Sequence, residues 1–454
     1  MEYREFRVIV EDENRLRIIK PSGTSQKASI PMDSLKERTI NIFHRWLAEG
    51  NIKSRDELVV LGAHLYNGLF DDEISRAFLD EFNKVRNQES TTLRLRLEFE
   101  REAHKLAQMP WEYIYYPDND MEKGFFIATR GRLILTRHVP LKIEDLKAEG
   151  NQLRILLVVS KPEGEGLNTV KADSIISTIA ELKSRLPHIV TDELLQPNKR
   201  SLTDKVKEFR PHVLHFIGHG EYKGEGGRLL LVQEQDQKTA APISDIDFAD
   251  CFLDYQPRLI FLHACEGARS DSYEAFRGVA LQLVYSKVPA VVAMQYPVEN
   301  LVANNFARKF YEALGEGKRI DEAVQEGRAE LAMYLNEQNF SSRAFGSPLV
   351  YLQSAEGIII AETQPPALGL SPQPPSSKVN CPYSNDCSGM VIRGDKFCIT
   401  CRRPLMQCPN CDGVMAQALG VHGCGYGIES KKPIDTTTEG SQGAAAPGFR
   451  VLRS

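Results

Sequence analysis

The sequence predicts an α/β protein: a mostly parallel sheet with helices on both faces, preceded by an α+β N-terminal region and followed by a small cysteine-rich module. Three observations predict it. From residue 151 onward, short continuous runs rich in Val, Ile and Leu alternate with helical stretches, the pattern of strands buried on both faces. Residues 1–150 instead mix helical spacing with strands that alternate apolar and charged residues. Seven of the nine cysteines fall between 381 and 424, four of them in CxxC pairs at 398/401 and 408/411. In a chain with no secretion signal, such pairs read as metal ligands rather than disulfides.

Taken in order, "EFRVIVED" alternates as a strand, and "RLRIIK" is its hairpin partner after a charged turn. "ERTINIFHRWLAEG" and "EISRAFLDEFNKVR" place apolar residues at helical spacing, and "TTLRLRLEF" and "GRLILTRHVPL" are strands. Their period of two predicts one buried face and one solvated face. A domain of 151–360 follows, with strands "LRILLVVS", "VLHFIG", "RLIFLHA" and "VPAVVAMQY". Helices such as "KADSIISTIAELKSRL" and "YEAFRGVALQLVYS" lie between them, two amphipathic helices follow over 300–335, and "SPLVYLQ" closes the sheet. Residues 361–380 are a Pro- and Ser-rich linker of some stiffness. The cysteine-rich module is 381–430, and the tail 431–454 is too poor in bulky apolar residues to pack.

Composition excludes several classes. The 454 residues carry a net charge of −5, with 42% hydrophobic and 26% charged residues. This balance argues against a dedicated nucleic-acid binder. No run approaches the roughly 18 apolar residues of a membrane span, and the first residues lack a signal-peptide core. The cytoplasm is the expected location. The absence of a GxxxxGK[ST] loop rules out a P-loop NTPase.

Two strand ends carry reactive side chains. "VLHFIGHG" delivers His219 and then Gly220, while "LIFLHACEG" delivers Cys265. In an open parallel sheet, functional groups gather where strands end at the carboxyl edge. The separation of 46 residues between the two positions fits a single crossover. A Cys thiolate there attacks a carbonyl, an imidazole supplies a proton to the departing amine, and backbone N–H groups face the oxyanion. Gly220 and Cys265 are the expected oxyanion donors. His215 and His263, inside their strands, read as scaffold histidines; Cys251 reads as a buried structural thiol, and Glu221 as a solvated loop charge.

These blocks, with "VALQLVYSKVPAVVAMQYPV" and "FGSPLVYLQ" downstream and "LAQMPWEYIYYPD" upstream, resemble the CHAT family of caspase-like cysteine peptidases, relatives of caspases and separase. The Ala–Cys–x–Gly at the nucleophile, with a His about 50 residues before it, is the caspase arrangement. The resemblance covers roughly residues 90–355 and implies a His219–Cys265 dyad acting on a protein substrate. It also implies a role in bacterial defence or stress-triggered proteolysis, for example on a gasdermin-like protein. Glu266 and Gly267 depart from the small or hydroxyl residues often found after the nucleophile. A caspase-like S1 pocket for a basic P1 residue requires a carboxylate, for which Asp271 and Glu299 are the candidates.

The cysteine-rich module repeats internally. Its ligand arithmetic gives one site from Cys381, Cys387, Cys398 and Cys401, and a second from Cys408, Cys411, His422 and Cys424. Thiolate-rich tetrahedral sites with every position filled by protein suit structural Zn²⁺, two ions in all. The module resembles a double zinc ribbon. Arg402, Arg403 and Lys396 form only a weak basic patch, so a protein activator or docking partner is expected rather than nucleic acid. The alternative function is a silent pseudo-protease whose ribbons bind a protein or nucleic-acid partner; retention of both His219 and Cys265 favours the peptidase.

Overall fold

In the computed structural model the described residues are 2–30, 37–52, 54–88, 90–117, 123–141, 150–164, 167, 170–223, 226–264, 270–296, 300–333, 343–354 and 357–360, followed by four short strands beyond residue 378. The chain forms two compact units, residues 1–365 and 366–454.

The first unit opens with β1 (Glu2–Val10), β2 (Arg15–Ile19), β3 (Ser25–Ser29), α1 (Glu37–Glu49), α2 (Arg55–Leu69) and α3 (Asp72–Arg86). Then come β4 (Thr91–Phe99), α4 (His104–Ala107), β5 (Tyr115–Tyr116), β6 (Phe125–Phe126) and β7 (Leu133–His138). Caps define the helix starts. Ser54 and Glu57 form a capping box on α2, and Asp71 accepts from two N–H groups of α3. The strands expected at "EFRVIVED" and "RLRIIK" do pair as a hairpin, β1 with β2.

The chain continues with β8 (Leu153–Val159), α5 (Asp173–Arg185), β9 (Ile189–Leu195), α6 (Lys199–Phe209), β10 (Val213–Gly218), β11 (Gly220–Lys223), β12 (Gly226–Val232), β13 (Ala240–Ser244) and α7 (Asp245–Asp250). It ends in β14 (Leu259–Ala264), α8 (Ser270–Tyr285), β15 (Ala290–Met294), α9 (Asn300–Gly315), α10 (Ile320–Met333) and β16 (Pro348–Leu352). One 11-stranded sheet runs through all of this, in the order β3-β2-β1-β4-β7-β16-β15-β14-β10-β8-β9. The boundary expected at residue 150 therefore falls inside one sheet and one compact unit. Pairing is parallel except at β1–β2, β2–β3 and β15–β16.

The continuous apolar strands fill two cores. Val213, Ile217, Leu259 and Phe261 face one, with α5, α9 and α10; Leu214, Phe216, Ile260 and Leu262 face the other, with α6, α7 and α8. Each such side chain contributes roughly 1.5–3 kcal/mol by leaving water, so the central strands are fixed in register by both faces at once.

Two expectations need correction. The alternation of β4 does not give a solvated face, because its polar side chains are buried in ion pairs. Arg94 Nε donates to Asp321 Oδ2 at 2.6 Å, and Arg7 Nη2 donates to Glu98 Oε2 at 3.0 Å. The crossover between β10 and β14 is also more than a connection. It folds into a three-stranded antiparallel sheet, β11-β12-β13, before α7.

In the second unit β17 (Val379–Asn380) pairs with β18 (Met390–Val391), and β19 (Leu405–Gln407) with β20 (Val414–Ala416), both antiparallel. The chain between the first pair carries Cys381 and Cys387, and that between the second carries Cys408 and Cys411.

Candidate active site

β10 and β14 are adjacent parallel strands in the register Gly218↔Ala264. His219 is thus the first residue beyond β10, at the same level at which the chain leaves β14 for Cys265. His219 is 2% exposed, and its carbonyl accepts from Leu230 N at 3.0 Å, tying it to β12. On the other side of β10, Ser160 N donates to Ile217 O at 2.9 Å and Ser160 Oγ to Leu230 O at 2.6 Å. The strand end that carries the imidazole is therefore held from two neighbours.

Glycine is required here by packing. A Cβ on Gly218 would fall 2.9 Å from the Phe216 ring, and one on Gly220 would fall 3.0 Å from Ala275 Cβ. The closest approach is at Gly227, where a Cβ would come within 2.3 Å of the Ala275 carbonyl oxygen. Helix α8, which follows the Cys265 segment, is seated directly on the β11–β12 backbone that follows His219.

His215 and His263 are buried, with Nε2 and Nδ1 3.4 Å apart and the His215 ring stacked on Phe261 at 4.2 Å. Burial lowers both, His215 well below its ordinary value and His263 to about 4. They are neutral core histidines, as the sequence suggested. Cys251 is likewise buried, with its thiol raised by desolvation. Glu221 differs from expectation. It lies on β11 with its side chain only 15% exposed, and Lys223 Nζ is 3.1 Å from its carboxylate. Lys223, two residues along the same strand, holds the charge. Asp271 falls in the first turn of α8. Cys265, Glu299 and all eight expected metal ligands lie outside the described residues.

Two clusters had no sequence signal. Beyond β15, Tyr296 Oη lies 2.7 Å from His44 Nδ1, which also accepts from Arg277 Nη1 at 3.0 Å. Burial, aided by Arg277 and Arg137, drives His44 down to about 3. This group ties α1 to α8. Glu112 accepts from Arg137 Nε at 2.9 Å, from Gln295 Nε2 at 2.7 Å and from Arg328 Nη2 at 3.5 Å, all buried. Burial alone would raise this carboxyl, but the two guanidinium groups outweigh it and hold Glu112 below the ordinary carboxylate range. Burial pushes Arg328 down to about 10.

The family model described as "CHAT domain" matches residues 60–356, more than half of the chain. No curated protein matches the sequence. Solved structures with similar folds include the separase–securin complex of Saccharomyces cerevisiae, at 12% identity and a TM-score of 0.42, covering 77% of this chain and 30% of that chain. This chain thus spans under a third of the separase chain. The Arg-specific cysteine proteinase gingipain R of Porphyromonas gingivalis matches at 11% identity and a TM-score of 0.39, covering 64% of this chain and 69% of that one. The Drosophila initiator caspase Dronc matches at 7% identity and a TM-score of 0.30, covering 45% and 82% respectively.

Proposed function

The chain belongs to the CHAT domain family, and from that premise we propose that it is a cysteine endopeptidase acting on a protein substrate through His219 and Cys265. The register Gly218↔Ala264 is the observation that carries the reading, because it ends the two strands side by side at the roughly 4.8 Å spacing of a sheet.

The chemistry follows from the residue types. His219 takes the Cys265 proton, and the thiolate sulfur bonds to the scissile carbonyl carbon, whose oxygen becomes an oxyanion. The N–H groups of Gly220 and Cys265 are assigned to stabilise that oxyanion. As the C–N bond breaks, the imidazolium returns its proton to the amine, leaving a thioester that water hydrolyses. Asp271 or Glu299 would supply the carboxylate for a basic P1 side chain.

Seven thiolates and one imidazole, in two sets of four, fit tetrahedral zinc and no catalytic role. Two Zn²⁺ ions would be held by Cys381, Cys387, Cys398 and Cys401, and by Cys408, Cys411, His422 and Cys424. Bound there, they supply folding energy to a module with little apolar content, leaving its surface to dock a protein activator or substrate. Among the described residues no helix is long and apolar enough to cross a membrane. A cytoplasmic enzyme of defence or stress-triggered proteolysis, with a gasdermin-like protein as one substrate class, is the physiological setting we assign. Mapping new protein N-termini in cells carrying the wild-type or the Cys265→Ala chain tests the reading. New termini should depend on Cys265, and an undiminished biological effect of Cys265→Ala would instead establish an adaptor.

A further inference from the structure

β10, β14 and β15 are parallel neighbours and finish on one edge of the sheet. Gly218 pairs with Ala264, and Leu262 pairs with Ala293. Carried along by two residues, the second pairing sets Gln295 level with Ala264. His219 and Tyr296 are each the next residue beyond that row, two strand spacings or roughly 10 Å apart along the edge.

Around Tyr296 the hydrogen-bond donors outnumber the acceptors. The Tyr296 hydroxyl lies 2.7 Å from His44 Nδ1, and Arg277 Nη1 donates to the same nitrogen at 3.0 Å. A neutral imidazole nitrogen has one lone pair, so it serves one of these donors at a time. Arg277, on α8, is partly exposed, and its guanidinium carbon lies 5.8 Å from the centre of the Tyr296 ring. The Tyr296 oxygen gives it a second acceptor. Its other N–H groups have no acceptor among the described residues, and no carboxylate there lies within ion-pair distance. Charge is in surplus as well. Arg343 donates to the Leu47 carbonyl and, among the described residues, also meets no carboxylate. The Glu112 carboxylate acts on Tyr296 too, but it already answers Arg137 and Arg328. Positive charge thus gathers at this edge in a chain whose net charge is −5.

A guanidinium held only by neutral groups, with donors to spare, fits a carboxylate, which accepts two N–H groups at once. An extended polypeptide crosses 10 Å in roughly three residues at about 3.3 Å each. We infer that Arg277 is a specificity-determining residue: it pairs with an acidic side chain of the substrate within about three residues of the bond cleaved. His44 and Tyr296 hold the guanidinium in place for it. This position is separate from the basic P1 side chain that Asp271 or Glu299 would take. The inference rests on the endopeptidase reading given above.

The test uses the full chain. Peptides from a displayed random library are selected on Cys265→Ala protein and should carry Asp or Glu at one fixed position. Arg277→Gln in the same chain should weaken their binding about tenfold or more. Replacing the peptide's acid by its amide should do the same. Arg277→Glu should prefer versions of these peptides with Lys at that position over the acidic originals. That inversion separates recognition from a damaged fold, because a misfolded chain gains no new ligand. The wild type should cut the selected peptides within about three residues of the acid. A library with no fixed acidic position overturns the inference. So does equal binding by wild-type and Arg277→Gln surfaces, or an Arg277→Glu chain that loses acidic peptides and gains no basic ones. Peptides whose acid needs Arg277 yet stay uncut by the wild type refute the peptidase reading and leave the anion site standing.

Discussion

Replacing Gly227 by alanine adds one methyl group where the structure has no room. The new Cβ would lie 2.3 Å from the Ala275 carbonyl oxygen, 2.9 Å from its Cα and 3.0 Å from its carbonyl carbon, all backbone atoms of α8. None can rotate aside, so the helix and the β11–β12 ribbon must part by about 1 Å to reach ordinary contact at 3.4 Å. Overpacking of this kind costs roughly 1–3 kcal/mol, which a melting curve reads as a fall of a few degrees. The effect on chemistry is larger. The ribbon follows His219 and the helix follows Cys265, so if the two form the proposed dyad, the same 1 Å should enter their separation. A misplacement of that size costs on the order of 10²-fold in rate. The assay is the second-order alkylation of Cys265 by iodoacetamide, with cleavage of a mapped substrate alongside. Gly278→Ala is the graded control. Its Cβ would meet Gly227 N at 3.3 Å, a contact that small adjustments absorb, and it should stay within about threefold of wild type. Wild-type rates in Gly227→Ala, or equal damage in both variants, would refute the claim that this contact sets the geometry of the pair.

Cys265→Ala should abolish cleavage with little change in melting temperature, and His219→Ala should be nearly as damaging, since the two act as a unit; peptide-bond cleavage assays check both. Purified full-length protein should contain about two zinc ions by elemental analysis, and Cys398→Ser should lose one of them while residues 1–365 stay folded. Stability should fall on acidification between about pH 6.5 and pH 4. His263 is held at about 4 in the fold against an ordinary 6.5, so the unfolded chain binds its proton first, and the stabilisation present above pH 6.5 is lost as pH drops through that window. The loss is about 3 kcal/mol from this residue, and His263→Gln should flatten that limb of a urea-denaturation series. Glu112→Gln should cost roughly 3–5 kcal/mol, because it leaves the buried Arg137 and Arg328 charges without their carboxylate; equilibrium unfolding measures it.

The central strands were legible because burial on both faces writes a continuous apolar run. "VLHFIG" and the "LIFLHA" of "RLIFLHA" became β10 and β14, which pair side by side, while Cys265 itself lies outside the described residues. The bounds of "TTLRLRLEF" also matched β4, yet its environment did not. Its charges are buried by Glu5 and Arg7 from β1 and by Asp321, which lies 227 residues away, and no local pattern announces such a partner. The β11-β12-β13 sheet was hidden by its glycines, of which Gly220 and Gly227 serve contact with α8. His44, Tyr296 and Arg277 were invisible for a related reason: a lone His on one helix carries no sign of a tyrosine 252 residues further on.

What the sequence treated as a support region is therefore built into the same sheet as β10 and β14. The sheet reverses direction once in its centre, at β15–β16, and the strands of residues 1–150 join beyond that reversal by pairing with β16. Because of the reversal, their starting ends share an edge with the finishing ends of β10 and β14. The join is made at depth rather than by a surface contact. Glu112 and Arg137 from the first half meet Gln295 and Arg328 from the second, with Arg328 also donating to the Leu135 and Pro348 carbonyls. A buried cluster with two guanidinium groups and one carboxylate is costly unless every donor is placed, so it tolerates little sliding of one half against the other. The level at which Leu133 stands relative to Ala264 is then a property of the fold and not of a hinge.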